Sequence, residues 1–190
     1  MKKRIIVGAS GASGSPILIK CLELLREAEN FETWLIMTEG AKLTLPQETD
    51  RSLEEVAALA DHILEPWEIG AAPASGSFRT QGMLVVPCSM KTLAGIHSGY
   101  AENLLLRAAD VTIKEQRTLV LAVRETPLSA IHLRNMQELS VIPGVRIIPP
   151  MMTFYHKPKD IDEMTYHVAA KLLEPFGIEA KEYRRWNGLQ

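Results

Sequence analysis

The sequence predicts a doubly wound parallel α/β sheet, and three observations carry that expectation. Five short runs rich in β-branched and apolar residues recur along the 190-residue chain. Helix-like stretches separate them, so strand and helix alternate. The runs show little polar alternation, as strands covered on both faces do. No repeat, low-complexity segment or linker divides the chain, so one domain over residues 1–190 is expected, with an arm at about 178–190.

The elements follow in order. "RIIVGA" reads as the first strand, and "SPILIKCLELLREAE" as a helix with Ile17, Cys21, Leu24 and Leu25 on one stripe. "TWLIMT" is the second strand and "LEEVAALADHI" the next helix. Residues 65–82, "EPWEIGAAPASGSFRTQG", are rich in Gly, Pro, Ala and Ser and read as a long loop, a kind that is often functional in compact domains. "MLVVPC" is the third strand, ended by Pro87, with Cys88, Ser89 and Met90 beginning a new helix. The helix "NLLLRAADVTIKEQR", the strand "TLVLAV", the helix "SAIHLRNMQELS" and the strand "VRIIPP" follow. The last helix, "DIDEMTYHVAAKLLEPFG", spaces Asp160 and Glu163 as a capping box and has Gly177 to end it. Its apolar stripe is Ile161, Met164, Val168 and Leu172. The irregular tail "EYRRWNGLQ" is expected to pack on a neighbouring subunit.

Composition excludes several classes. A net charge of −2 leaves no footprint for nucleic acid or an acidic membrane surface. No stretch approaches the roughly 20 apolar residues that span a bilayer. "MKKR" precedes only "IIV", too short a run for a secretory signal. Cys21 and Cys88 form neither a CxxC pair nor a zinc spacing, so reduced thiols and a cytoplasmic location are expected.

Four strand ends carry residues suited to anions. "GASGASGS", residues 8–15, leaves the first strand and enters the first helix. Ligands bind at the carboxyl ends of such strands, and a helix N-terminus attracts phosphate. Small residues let backbone N–H groups approach, and Ser10, Ser13 and Ser15 add hydroxyls. The spacing is neither GxGxxG nor a Walker loop, and a tight turn without a ligand is the plain alternative. In "VVPCSMKTLAGI", Lys91 sits in a first helical turn, where a cation is unfavourable unless an anion binds. Ser89 and Lys91 therefore read as ligand residues. Cys88 reads as a small core residue in preference to a nucleophile. "RETP" puts Arg124 and Glu125 at the fourth strand end, as an anion-binding Arg and a proton-handling Glu, or as a plain ion pair. Arg107, Lys114 and Arg117 share one helix face, either solvated or turned to a phosphate. In "PPMMTFYHKP", Tyr155 is either an anion ligand or a loop anchor, and His156 has no partner signature of a base. Lys171 either snorkels or neutralises a ligand. Trp67, in the long loop, either covers a flat ring or cationic centre, or simply packs.

"GASGAS", "PASGSF", "PCSMKTLAGI", "NLLLRAADVTIKEQRTLVLAVRETPLSAIHLRNM" and "PPMMTFYHKP" together resemble the flavin prenyltransferases of the UbiX/Pad family. The likeness covers nearly the whole chain, and "RRWNGL" resembles the branch that accompanies phenolic and hydroxybenzoic acid decarboxylases. The resemblance implies a flavodoxin-like, Rossmann-like three-layer sandwich, assembled as a dodecamer. It implies FMN in a cleft between subunits, dimethylallyl phosphate beside it, no metal, and prenylated FMN handed to a UbiD-type decarboxylase. By motif, Gly11, Ala12, Ser13, Thr38, Cys88, Ser89, Met90, Lys91 and Arg124 meet the flavin. Arg107, Lys114, Tyr155 and Lys171 surround the prenyl phosphate. Glu125 with Ser13 handles the proton, Glu48 reaches a neighbouring subunit's site, and Trp67 faces the developing allyl cation. Lys171 stands where the family commonly has Arg, keeping the charge but losing the bidentate fork. Met152 replaces a usual proline, and "SVIPGVRI" departs from a glycine-rich turn.

Three other readings compete. A flavin-dependent cysteine decarboxylase is expected to carry a "PASANT"-like segment and a His after the first helix. Here the segment is "PASGSF", and no His precedes His62. A non-catalytic FMN-binding subunit would show the same binding residues. A nicotinamide dehydrogenase would need GxGxxG.

Overall fold

The computed structural model describes residues 2–188. Six strands form one sheet: β1 (Lys3–Ala9), β2 (Phe31–Met37), β3 (His62–Leu64), β4 (Gly82–Cys88), β5 (Thr118–Val123) and β6 (Val145–Ile147). Their order is β3-β2-β1-β4-β5-β6, and every neighbouring pair is parallel. The chain winds outward from β1 in both directions. The loops after β1 and β4 therefore part at the switch point, where such sheets open a crevice.

Helices cover both faces. α1 (Ser15–Glu27), α2 (Glu39–Glu48), α3 (Leu53–Ala57) and α7 (Ile161–Leu173) lie on one, and α4 (Met90–Ser98), α5 (Leu104–Lys114) and α6 (Ala130–Ser140) on the other. Successive residues of β1 feed the two cores in turn: Ile5 and Val7 pack toward α1, Ile6 toward α5, and all are buried. Two apolar faces leave no room for polar alternation, which is why the strand runs read as they do.

The structure departs from the sequence reading in four places. The helix expected over "LEEVAALADHI" stops at Ala57, and His62–Leu64 pairs instead with the edge of β2, Trp34 opposite His62. Asp61 steers this turn by accepting the Thr33 N–H at 2.8 Å. α2 was not expected, since its sequence is polar and contains Pro46. Thr38 caps it, and Pro46 falls in its last turn. β4 continues through Pro87 to Cys88, so Ser89 is the cap of α4 and Cys88 lies in the strand. On α7 the buried face is His167, Ala169, Ala170, Leu172 and Leu173, while Ile161 is exposed. The alanines let α7 approach α1 closely. Asp160 accepts the Glu163 N–H at 2.8 Å, but Glu163 reaches back to the Lys159 N–H and leaves that of Asp160.

The described part of the tail folds onto its own chain. Ile178 is buried, the Glu182 N–H donates to the Tyr166 hydroxyl, and Tyr183 lies against His167. Leu189 and Gln190 lie outside the described residues.

Candidate functional site

The loops after β1 and β4 are stitched together by one buried hydroxyl. Ser10 donates to the Pro87 carbonyl at 3.1 Å and accepts the Ser89 N–H at 2.8 Å. Its hydroxyl is thus committed to holding two loops and is not free for phosphate. Gly11 crosses Gly40 so closely that a Cβ on Gly11 would lie 2.9 Å from the Gly40 Cα. Gly14, at φ +143°, sits in a region that suits glycine alone.

Three helix N-termini open on this end of the sheet, and their own chain treats them differently. That of α1 is filled: Glu48 accepts the Gly14 and Ser15 N–H groups at 2.9 and 2.8 Å. Burial pushes the Glu48 carboxyl up, but hydrogen bonds from Ser13, Gly14 and Ser15 outweigh it and hold the group below its ordinary value. Glu48 therefore caps its own subunit's glycine loop. The helix dipole that draws it there is the one the sequence reading assigned to phosphate. α2 carries Glu39 in its first turn. α4 has no acid in its first turn and carries Lys91 there, so this N-terminus is the one suited to an anion.

An open cleft of about 990 Å³ lies against these loops. Gly11, Thr38, Trp67, Ser89 and Lys91 line it, with Asn103, Arg134 and Asn135 on its far wall. Trp67 is 65% exposed. The Lys42 ammonium lies 5.2 Å from its ring, so a cation already meets the indole.

The other expected residues lie elsewhere. Ser13 is exposed on the loop beside Glu48, and Ala12 folds its N–H back to the Ser10 carbonyl. Met90 is half-buried in the core under α4. Cys88 is fully buried, and burial pushes its thiol up to about 12, so its side chain is neither nucleophile nor ligand. Only its backbone can face a flavin. Arg124 and Glu125 are exposed at the end of β5, off the cleft wall, and Glu125 accepts the Thr126 N–H.

The four residues expected around a prenyl phosphate are divided. Arg107 and Lys114 stand on α5: Arg107 binds the Ala74 carbonyl and Asp110, and Lys114 pairs with Glu115. Arg117 spends its guanidinium on the Gly76 and Phe78 carbonyls, so it anchors the long loop. Tyr155 and Lys171 line a separate pocket of about 210 Å³ beside α7, across the sheet from α5. Within one subunit they do not form a single site with Arg107 and Lys114.

Sequence reasoning missed the Ser10 stitch and a stacked pair, His156 and His167, beneath Tyr155. Ser10 was counted among the phosphate donors, and nothing in a helical pattern marks His167 as a ring partner. Among the described residues no cluster of three or more His, Cys, Asp or Glu could hold a metal ion. No helix there is long and apolar enough to cross a membrane.

Against this geometry the comparisons with known proteins are informative. A flavoprotein family model matches residues 1–172. A probable UbiX-like flavin prenyltransferase of Streptomyces sp. (strain D7) is 51% identical over 187 residues, 98% of this chain and 93% of that protein. A dodecameric FMN-dependent UbiX-like decarboxylase from Escherichia coli O157:H7 superposes with a TM-score of 0.95 at 52% identity, covering 97% of this chain and 100% of its own. The structure of AnUbiX in complex with FMN and dimethylallyl pyrophosphate superposes at 0.97 with 45% identity, covering 100% of both chains.

Proposed function

Because the chain belongs to the UbiX-like flavin prenyltransferases, within the flavoprotein family, we propose that it joins a dimethylallyl group to N5 and C6 of reduced FMN. One observation carries this reading: Gly11, Thr38, Trp67, Ser89 and Lys91, all expected from the sequence, line one open cleft at the switch point.

The residues present fit a flavin. The Gly11–Gly40 crossing packs two loops backbone to backbone and sets that bare backbone on the cleft wall. Thr38 brings its hydroxyl to the cleft as the cap of α2, the Ser89 hydroxyl is taken up by Ser10 and Thr92, and Lys91 at the α4 N-terminus suits the flavin's phosphate. When bound, reduced FMN supplies the nucleophilic nitrogen and carbon. The chain's task is the allylic phosphate. Arg107, Lys114, Tyr155 and Lys171 would neutralise the charge gathering on the leaving oxygen. The Trp67 ring presents an electron-rich face to a carbon losing electrons. Ser13 and Glu125 would hold the proton lost from N5, and Arg124 would pair with the flavin.

In this reading residues 1–190 form one flavin-binding domain with an arm from about 178, working in the cytoplasm as a dodecamer. The division of the phosphate residues across the sheet supports assembly, since a second subunit can bring the missing pair. The product would pass to a UbiD-type decarboxylase.

The test is anaerobic incubation of the protein with reduced FMN and dimethylallyl phosphate, followed by mass spectrometry of the extracted flavin. A flavin heavier by one dimethylallyl unit is expected. Unmodified FMN with both the phosphate and the diphosphate donor would overturn the reading in favour of a flavin-binding subunit.

A further inference from the structure

Tyr155 sits beside a stacked pair of imidazoles, its ring edge-on to His156 and to Trp186. His156, its neighbour, stacks on His167 of α7 with ring centroids 3.7 Å apart and planes 16° apart. The two residues are 8% and 4% exposed. Nε2 of His156 and both ring nitrogens of His167 have no hydrogen-bond partner among the described residues. Nδ1 of His156 meets only the Thr153 hydroxyl, at 3.3 Å. Tyr155 stands edge-on to His156, and Tyr183 tilts against His167 from the other side. His167 precedes Lys171 by one helical turn, and both line the pocket that Tyr155 closes.

Apart from the Thr153 hydroxyl at Nδ1 of His156, no acceptor among the described residues is bonded to either ring. Glu163 is paired with Arg184, and Asp160 is committed to the Glu163 N–H. Asp162 pairs with Lys20, and Glu174 with Lys171 and Arg185. Glu182 and Lys159 line the opposite side of His167, with no bond to its ring. The remaining ring neighbours are the phenols of Tyr155, Tyr166 and Tyr183.

We propose that His156 and His167 are positioning residues: an acid-released latch that seats the Tyr155 loop on α7 beside Lys171 and so sets affinity for the prenyl donor's phosphate. The role assigned to that phosphate rests on the function proposed above. Burial lowers both imidazoles, helped by Arg184 at His156 and by His156 at His167. Since the seated rings resist protons that free rings accept, the latch is fully closed above the ordinary value of 6.5 and weakens as pH falls below it.

Two readouts test it on the full chain, in the parent and in H167F, which keeps a stacking ring that cannot titrate. The first is hydrogen-exchange protection of residues 150–158, relative to α1, at about pH 8 and about pH 5.5. Acid should remove protection in the parent and spare it in the variant. The second is the KM for dimethylallyl phosphate at the same two values. The donor's own phosphate titrates near pH 6, so the comparison is between proteins. The acid-to-neutral KM ratio should be about tenfold larger in the parent than in H167F, with kcat moving less. H156F gives the same comparison if H167F fails to fold. Protection of 150–158 in the parent that acid leaves unchanged relative to α1 overturns the latch, whatever the variants do. So does an identical pH response in parent and variant. A parent that makes no prenylated flavin defeats the functional reading instead, and the exchange measurement still decides the latch.

Discussion

Glu48 shows how one side chain can redirect a site. The α1 N-terminus is the sheet's most obvious anion cradle, and the chain fills it with its own carboxylate. Two charge-assisted hydrogen bonds from backbone, discounted for partial exposure, make Glu48→Gln about 1–2 kcal/mol destabilising at neutral pH. The depressed carboxyl fixes the pH dependence. Its contribution is present above the unfolded value of 4.5 and is lost as pH falls through the lower folded value. Urea midpoints of parent and variant should therefore differ at pH 7 and converge in acid. A gap unchanged by acid would show that the charge is not what holds the loop. The stacked histidines run in the same sense for the opposite reason: there acid creates a buried charge, whereas at Glu48 it removes a paired one.

At the scale of elements, the glycine loop and α2 act as one unit through the Gly11–Gly40 crossing. Both partners are backbone, so neither can rotate away from an added methyl. Gly11→Ala must push the start of α2 off the loop, disturbing the Thr38 cap that shares the cleft wall. The expected cost is about 1–3 kcal/mol of stability and at least about tenfold in FMN affinity, measured by fluorescence titration of the apoprotein. Gly99→Ala is the comparison. That residue caps α4 at φ +68° in open space, so the change should cost about 1 kcal/mol and leave flavin affinity within about twofold. Equal loss of affinity in both variants would show that general destabilisation is responsible.

The same contrast explains how much was legible in the sequence. Long strands buried on both faces announce themselves by composition, and β1, β2, β4 and β5 were found. β3, three residues at an edge, carries too little pattern to separate it from the helix before it, and β6 was found but overextended. Gly11, Ser89 and Lys91 were legible because strand ends and helix starts fix their place, whereas Thr38 rested on the family resemblance, its helix being too polar to read. Glu48, Ser10 and the histidine pair were not, because their partners lie at least eleven residues away, and only packing brings them together.

Across the whole molecule, the division of the residues proposed for the donor's phosphate demands an explanation. Lys114 belongs to the layer of α4, α5 and α6, and Tyr155 to that of α1 and α7, with the sheet between them. Large apolar side chains remain exposed in both layers: Ile131, Leu133 and Val141 on and just after α6, and Met151, Met152, Phe154 and Trp186 around the Tyr155 loop. Such surfaces usually mark contacts with other chains. If neighbouring subunits share each site, defects in different layers should complement. Lys114→Ala and Tyr155→Phe are each expected to slow prenyl transfer strongly as pure assemblies. In oligomers assembled at random from equal amounts of both, a site drawing Lys114 from one subunit and Tyr155 from another is intact about one time in four. Co-expression with two affinity tags, purification through both, and assay of flavin prenylation should then recover about a quarter of parental activity. Mixed assemblies no more active than the pure variants would place both residues in one subunit's site. That outcome would require the Tyr155 loop to leave its seat on α7, which the histidine stack opposes.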